Sequence, residues 1–179
     1  LPAHIRAKMN SLCDPKIMAG LYYASSCGVQ VELLVRGICC LKVGIPGVSE
    51  NIRVRSIVGT FLEHARIFYF YNDGHEEIYM GSADWMPRNL DRRVEIVFPV
   101  EEEELKEKAK HILDVQLSDT LKAHRLLEDG TYQKVDRRGK EAIEAQKTFC
   151  EEAIAAANES KKKVPKKRTF DPRFSPQEE

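Results

Sequence analysis

Alternating apolar and polar positions predict a strand at residues 5–12, the first regular pattern in the chain. Asp14 and Pro15 follow this strand. An acidic N-cap followed by proline is typical of the first turn of a helix. We therefore predict a helix that runs from this point to about Cys27 and is ended by Gly28.

The remainder of the first hundred residues is rich in short strand patterns. Residues 29–35 are apolar and largely β-branched, as in a strand that is buried on both faces. Residues 37–50 contain three glycines and one proline without periodicity, which predicts a loop. Further strands are predicted at 52–58, 66–71, 77–81 and 93–98, with a single turn at 59–63, a tight turn at 72–74 and irregular structure at 82–91.

Helical spacing dominates after Pro99. Residues 100–117 open with glutamates that complement the helix dipole, and residues 139–158 form a second amphipathic pattern. The fold class is therefore α/β: a mixed β-sheet flanked by helices, with C-terminal helices. We expect one domain at 1–158 and a flexible, basic, proline-containing tail at 159–179, which is either a solvated extension or a docking segment for a polyanion.

Charge narrows the class of protein. The 179 residues carry 28 basic and 28 acidic side chains, and this balance argues against nucleic acid as a partner. No apolar run is long enough for a transmembrane segment. Residues 36–93 hold seven arginines and one lysine, which hints at an oxyanion ligand because a guanidinium group grips phosphate in two places. The alternative is that these arginines pair with the acidic residues in positions 1–99.

The cysteines and histidines give no sign of a metal site. The five cysteines are an odd number, and Cys39 and Cys40 are adjacent, too close for an ordinary disulfide with each other. No CxxC pair is present, and the five histidines have no ligand-like spacing. Reduced cysteines are typical of a cytoplasmic protein.

Two residues stand at positions that suit chemistry. Arg36 lies where the strand at 29–35 gives way to a loop, a frequent ligand position in α/β sheets. His64 comes directly before the strand at 66–71, and an imidazole can move a proton or stabilise phosphoryl charge. A structural role for His64 is the alternative. Motifs of serine hydrolases, P-loop NTPases, dinucleotide-binding proteins and zincins are missing.

Six runs of residues together resemble one family, the C-terminal domain of bacterial polyphosphate kinase. The resemblance covers positions 3 to about 155. It rests on KMNSL at 8–12, VRGICCL at 35–41, SENI at 49–52, SIVG at 56–59, FLEH at 61–64, and SADWM followed by NLDRRVE across 82–95.

This resemblance implies an enzyme that moves the terminal phosphate of ATP reversibly onto inorganic polyphosphate, with magnesium and through a phosphohistidine. The chain begins at Leu1 rather than methionine, so we expect a piece of a longer, four-domain enzyme. Its partners would be ATP or ADP, polyphosphate and the preceding domains of the same polypeptide. The family forms homo-oligomers, and we expect the full-length protein to be cytoplasmic, with membrane association open.

The two C-terminal domains of this family resemble phospholipase D halves that build the active site between them, and this chain is similar to the second. A phospholipase D half-site reads HxK, then an aspartate, then GSxN. Here residues 64–66 read His-Ala-Arg, and residues 81–84 read Gly-Ser-Ala-Asp. We therefore expect this half to have kept the histidine and lost part of the phosphodiesterase machinery.

The resemblance also implies roles for individual residues. Arg36 matches an ATP-contacting arginine, and His64 matches a histidine that contacts ATP and is a candidate catalytic acid or base. The nucleophilic histidine has no match here and belongs to the preceding domain, as do the magnesium-binding residues, so no metal site is expected in this chain. Weaker candidates for phosphate contact are Arg66, Arg88, Arg92 and Arg93, followed by Arg53 and Arg55, and then by Lys8 and Asn10.

Strand geometry limits what Arg92 and Arg93 can do together. Neighbouring residues of a strand point to opposite faces, so Arg92 and Arg93 cannot both contact one ligand at the start of the strand predicted at 93–98. We expect one of them to pair with Asp84 or Asp91. Trp85 is either a base-stacking residue or part of the core, and core is the more common role.

Two alternatives to the enzyme interpretation remain. The isolated chain holds nucleotide or polyphosphate without turnover because it lacks the nucleophile, which is what we expect for the chain as given. A phospholipase D-like phosphodiesterase is the other alternative, but the replacement of HxK by HxR counts against it.

Overall fold

The computed structural model describes residues 2–163, and the side chains of residues 2–160. These residues form eight strands and four helices. In chain order they are β1 Ala3–Met9, α1 Pro15–Ser26, β2 Gln30–Val35, β3 Ile52–Ile57, β4 Arg66–Asn72, β5 His75–Gly81, α2 Pro87–Arg92, β6 Val97–Pro99, α3 Glu103–Leu117, β7 Ala123–Leu126, β8 Tyr132–Lys134 and α4 Ala145–Lys163.

All eight strands belong to one mixed sheet in the order β6-β5-β4-β1-β2-β3-β7-β8. β1, β2 and β3 run parallel to one another, whereas β4 is antiparallel to β1 and β5 is antiparallel to β4. The carboxyl ends of β1 and β2 therefore lie at the same sheet edge as the start of β4 and the end of β5. The α/β class with a mixed sheet flanked by helices is confirmed.

Strand alternation divides the core between two faces of the sheet. In β2, Leu33 and Val35 pack into the cluster that includes Leu21 of α1, while Leu34 packs into the cluster that includes Leu113 of α3. Successive side chains of a strand point to opposite faces, so one buried strand supplies both clusters. The sheet is thus covered by a helix on each side, as expected for a strand with a continuous apolar run.

The predicted start of α1 is confirmed in detail. The Asp14 side chain accepts a hydrogen bond from the Ile17 N–H at 2.9 Å, and Pro15 occupies the first turn. Gly28 follows the helix with a φ of 88°, a conformation that costs glycine little. The tight turn at 72–74 and the loop at 37–50 are also present.

Several element boundaries differ from the prediction. Residues 82–91 are not wholly irregular, because Pro87 begins the short helix α2. The predicted strand at 93–98 is reduced to β6, because Glu95 is held by Asn89 and Ser82 rather than by a neighbouring strand. Residues 59–63 form no helical turn.

The C-terminal part also differs from the sequence pattern. The short strands β7 and β8 were not predicted, and α4 begins at Ala145 rather than near 139. The helix continues to Lys163, so residues 159–163 of the predicted tail are helical. Residues 164–179, the rest of that tail, lie outside the described residues. The first compact unit of the chain ends at Gln146, and a second begins at Lys147.

Asp119 holds the segment that leads to Gln146. Its fully buried carboxylate accepts three backbone N–H groups at Oδ1, from Leu121, Lys122 and Ala123, and a fourth from Ala145 at Oδ2, over 2.7–3.0 Å. A carboxylate that satisfies several buried donors is costly to remove, because each donor is left without an acceptor.

We expect Asp119→Ala to lower the free energy of unfolding of this chain by about 3 kcal/mol, and Asp119→Asn by less, because the asparagine keeps the Oδ1 acceptor. Urea denaturation measures both values. Glu50→Ala is the matched control, since Glu50 is exposed and should tolerate the change. Equal unfolding midpoints for Asp119→Ala and Glu50→Ala would contradict this role.

Candidate active site

The sheet topology collects the predicted site residues at one edge. Arg36 directly follows β2, and His64 lies two residues before β4. Since β4 is antiparallel to β1, with Lys8 opposite Ile67, both loops reach the edge at which β1 ends. Residues 82–84 reach the same edge, because Gly81 of β5 is paired with Arg66 of β4. Elements far apart in sequence thus converge here.

A largely buried ion pair between Arg66 and Asp84 joins three of these elements. Arg66 Nε and Nη2 donate to the two carboxylate oxygens of Asp84, each at 3.1 Å, and the side chains are 13% and 11% exposed. Asp84 Oδ1 also accepts the backbone N–H of Asn10 at 2.7 Å. The carboxylate therefore links the end of β1, the start of β4 and the loop after β5.

The ion pair joins the two residues at which the sequence departs from the expected phospholipase D pattern. Arginine replaces the lysine of HxK and aspartate replaces the asparagine of GSxN, and these two residues are partners of each other. The remaining guanidinium nitrogen, Nη1, donates to the His64 carbonyl. Each nitrogen of Arg66 makes one hydrogen bond within the protein, which gives Arg66 a positioning role, and its phosphate contact stays a prediction.

Arg92 or Arg93 was expected to pair with Asp84 or Asp91, and of these two alternatives the one with Asp84 is wrong. Asp84 pairs with Arg66, and Arg92 ends α2 instead of preceding a strand. Arg88, Arg92 and Arg93 are all exposed. Within residues 2–163, no hydrogen bond or ion pair connects these three arginines to Arg36 or His64, and their phosphate-binding roles stay predictions.

Arg36 is held by its backbone and is half-buried. Its N–H donates to Met9 O at 3.3 Å, and its carbonyl accepts the hydroxyl of Ser56 at 3.0 Å. The next residue, Gly37, donates to Asn10 O at 2.7 Å, and a Cβ there would lie 3.1 Å from that oxygen. These contacts fix the start of the loop, so the guanidinium group extends from a rigid point.

A buried ion pair between Lys8 and Glu63 lies next to Arg36. The sequence did not predict this pair, although Lys8 was a weaker candidate for phosphate contact. Lys8 Nζ donates to Glu63 Oε2 and to Ala65 O, each at 3.1 Å, and only 6% of the Lys8 side chain is exposed. Arg36 and Glu63 line one void of about 10 Å³ together with Lys8. Arg36 is therefore next to the residue that precedes His64, while His64 itself is exposed.

The electrostatics of this pair follow from burial and neighbouring charge. Burial lowers the pKa of Lys8; Glu63 opposes this effect, and the guanidinium groups of Arg36 and Arg66 add to it. For Glu63, burial raises the pKa, but hydrogen bonds from Gln146, Lys8 and Gln116 outweigh it, so the pKa lies below its ordinary value. The Glu63 carboxylate is thus stabilised by one cation, Lys8, and two guanidinium groups lie close enough to affect that cation.

Trp85 belongs to the core. Its ring stacks on Phe68 at a centroid distance of 5.0 Å and an interplanar angle of 12°. It also packs against the cluster on the α1 face of the sheet. The backbone carbonyl of Trp85 accepts the N–H groups of Cys13 and Asp14, each at 2.9 Å, which ties the Asp84 loop to the start of α1.

The acidic residues at this edge do not suit a magnesium ion. Glu63 is paired with Lys8, and Asp84 with Arg66. Within residues 2–163, no cluster of three histidine, cysteine or acidic side chains is placed to hold a metal. The donors present are cationic and amide groups, which suit an anionic ligand.

Comparison with known proteins identifies the family of this fold and site. The family model described as polyphosphate kinase C-terminal domain 2 matches residues 1–146 of this chain. Polyphosphate kinase from Pseudomonas aeruginosa is 56% identical over 138 residues, which are 77% of this chain and 20% of that protein. Polyphosphate kinase from Lactiplantibacillus plantarum is 46% identical over 99% of this chain and 25% of that protein.

Structural comparison gives the same result. The crystal structure of polyphosphate kinase from Porphyromonas gingivalis matches with a TM-score of 0.83 at 37% identity, over 88% of this chain and 24% of that one. NucT from Helicobacter pylori matches with a TM-score of 0.50 at 14% identity, over 64% of this chain and 78% of that one, which shows a shared fold alone.

The fold is an α/β domain with one mixed sheet, and the chain belongs to the polyphosphate kinase C-terminal domain family. The family predicted from the sequence is confirmed. The chain spans about a fifth to a quarter of the length of the relatives it matches. None of the helices in residues 2–163 combines the length and hydrophobicity needed to cross a membrane.

We expect Arg66→Ala and Asp84→Ala each to lower the free energy of unfolding by roughly 3–5 kcal/mol, because each leaves one buried charge unpaired. The double variant should lose much less than the sum of the two. Denaturant unfolding of the four proteins in a double-mutant cycle measures the coupling. Additive losses would show that the two side chains do not act as a pair.

Glu63 predicts an acid-dependent contribution to stability. Its folded-state pKa is depressed, so the stabilisation is present above the unfolded-state pKa of about 4.3 and is lost as the pH falls through the lower folded-state value. In Glu63→Gln, the free energy of unfolding should therefore fall less steeply at acidic pH than it does in the wild type. Unfolding measured from about pH 7 to about pH 3 tests this, and parallel pH profiles for wild type and variant would refute it.

Proposed function

We propose that this chain is the domain of a polyphosphate kinase that supplies Arg36 and His64 to the reversible transfer of the terminal phosphate of ATP onto inorganic polyphosphate. The observation that carries the proposal is the convergence of the two residues at one sheet edge in a chain of this family. The phosphohistidine of the reaction would lie in the preceding domain, so the complete site needs the longer polypeptide.

Arg36 suits the task of orienting a phosphate chain. Its backbone is held at both the N–H and the carbonyl, so binding at the guanidinium group requires no ordering of the backbone. Phosphoryl transfer depends on positioning and on neutralising charge, and a guanidinium fork can do both. The ion pairs Lys8–Glu63 and Arg66–Asp84 hold the segment around His64 in place.

His64 suits proton transfer or phosphate contact. Its side chain is exposed and accessible to a ligand, and its carbonyl is held by Arg66. An imidazole can donate a hydrogen bond to a phosphate oxygen or carry the proton of an acceptor or leaving group. His64 and Arg36 would then act on the same phosphate chain from two adjacent loops.

Magnesium would supply charge neutralisation on the phosphates, with ligands mainly from the preceding domain. The acidic groups of this chain near His64 are committed to Lys8 and Arg66 and do not form a site for it. A cytoplasmic homo-oligomer, with or without membrane association, is part of the same proposal. The isolated chain would bind nucleotide or polyphosphate without turnover.

Within the longer polypeptide that carries this chain, Arg36→Ala and His64→Ala should each lower polyphosphate synthesis by about 10²–10³-fold, as expected when a group that stabilises transferred charge is lost. The rate of transfer from ATP into polymer measures this. Arg137→Ala and His124→Ala are matched controls, because both side chains are exposed and neither is a candidate for phosphate contact.

The controls should retain wild-type rates, and all four variants should keep the thermal stability of the wild type. Wild-type synthesis in both Arg36→Ala and His64→Ala would contradict the site. Hydrolysis of a phosphodiester by the chain would favour the phospholipase D-like alternative instead.

A further inference from the structure

The loop that carries His64 has exposed side chains, but its backbone is hydrogen-bonded to the rest of the domain. Phe61, Leu62 and His64 are all exposed, with 57% and 77% of the first two accessible. Loops with so little of their own apolar burial are usually mobile. Here the inner side of the loop is instead tied to the domain by polar contacts, and Gln146 makes three of them.

Gln146 binds the backbone of Phe61 at both of its polar groups. Its Oε1 accepts the Phe61 N–H at 2.9 Å, and its Nε2 donates to the Phe61 carbonyl at 2.9 Å. This pair of bonds imitates the exchange between two strands. Gln146 is 8% exposed, so its amide is largely withdrawn from water and these bonds are not shared with solvent.

The same amide reaches the residue next to His64. Gln146 Nε2 also donates to Glu63 Oε1 at 2.8 Å, while the other oxygen of Glu63 accepts Lys8 and Gln116. The Glu63 carboxylate therefore has donors from β1, from α3 and from Gln146. Its position, and through it the backbone at His64, is determined from three sides.

Gly59 makes this approach possible. A Cβ at Gly59 would lie 2.3 Å from Gln146 Oε1 and 2.6 Å from its Cδ. A Cβ there would force the Gln146 amide to move, so glycine permits this close contact by lacking a side chain. The loop and Gln146 are thus complementary in shape as well as in hydrogen bonding.

Gln146 is itself held in place from the other side. Thr120 N–H donates to Ile143 O at 3.0 Å, Ile143 N–H donates to the Thr120 hydroxyl at 3.0 Å, and Asp119 accepts the Ala145 N–H at 2.8 Å. The segment before Gln146 is therefore fixed to the turn that follows α3. A fixed support of this kind is what a positioning residue requires.

We propose that Gln146 is a positioning residue for His64, acting through Phe61 and Glu63. It touches neither nucleotide nor phosphate in this proposal, which rests on the proposed role of His64. The segment at 141–146, remote in sequence from every residue matched to the active site, would then be required for the correct placement of the histidine.

The test is Gln146→Glu in the longer polypeptide that carries this chain. The variant has the same shape and keeps the acceptor for Phe61 N–H, but it loses both donors and places a second carboxylate against Glu63. We expect kcat to fall by about 10–100-fold, as for a small displacement of a catalytic group, with a smaller change in KM for ATP. Two adjacent carboxylates share a proton at acidic pH, so the defect should shrink as the pH is lowered.

Gln133→Glu is the matched control, because Gln133 is an exposed glutamine on β8. It should retain the wild-type kcat and pH profile. Gly59→Ala displaces Gln146 without adding charge, so it should lower kcat while leaving the pH profile unchanged. If Gln146→Glu fails to fold, the kcat of Gly59→Ala tests whether Gln146 positions His64.

A wild-type kcat and pH profile in Gln146→Glu, alongside an inactive His64→Ala, would overturn this proposal and leave the proposed function standing. Wild-type activity in His64→Ala would instead remove the proposed function, and the positioning role with it. An equal loss in Gln133→Glu would also overturn the proposal.

Discussion

The ion pair between Arg66 and Asp84 is the constraint on which this sheet edge depends. One carboxylate accepts both the guanidinium of Arg66 and the backbone of Asn10, so it joins three chain segments that the sequence keeps far apart. The same guanidinium holds the carbonyl of His64. A buried pair with this many hydrogen bonds is expensive to break, and its geometry is correspondingly well defined. The backbone position of His64 therefore depends on the Arg66–Asp84 ion pair.

The elements that could be predicted from sequence are those whose pattern is local. The Asp14-Pro15 cap, the apolar run of β2 and the turn at 72–74 each follow from the residues within them. The α/β class follows from their order. Arg36 at the end of a strand and His64 before a strand were also recognisable, because strand ends can be located from alternation alone. The resemblance to a family then gave these two residues candidate roles.

What sequence could not show is long-range pairing. Glu63 lies next to His64, but its partners Lys8, Gln116 and Gln146 come from three distant segments. Arg92 or Arg93 was expected to pair with Asp84 or Asp91, which are near in sequence, whereas the fold pairs Asp84 with Arg66. Short strands such as β7 and β8 form because neighbouring strands offer hydrogen bonds, so their own residues carry little signal. Contacts of this kind depend on strand order and register.

The central claim is that this chain contributes an accessory half of a phosphoryl-transfer site. The most direct test is incubation of the chain with γ-labelled ATP, magnesium and polyphosphate, alone and mixed with the preceding domains. We predict that label enters the polymer only in the mixture and never becomes attached to this chain. Label on the isolated chain would show that His64, or another of its histidines, is itself the nucleophile, and would contradict the division of roles.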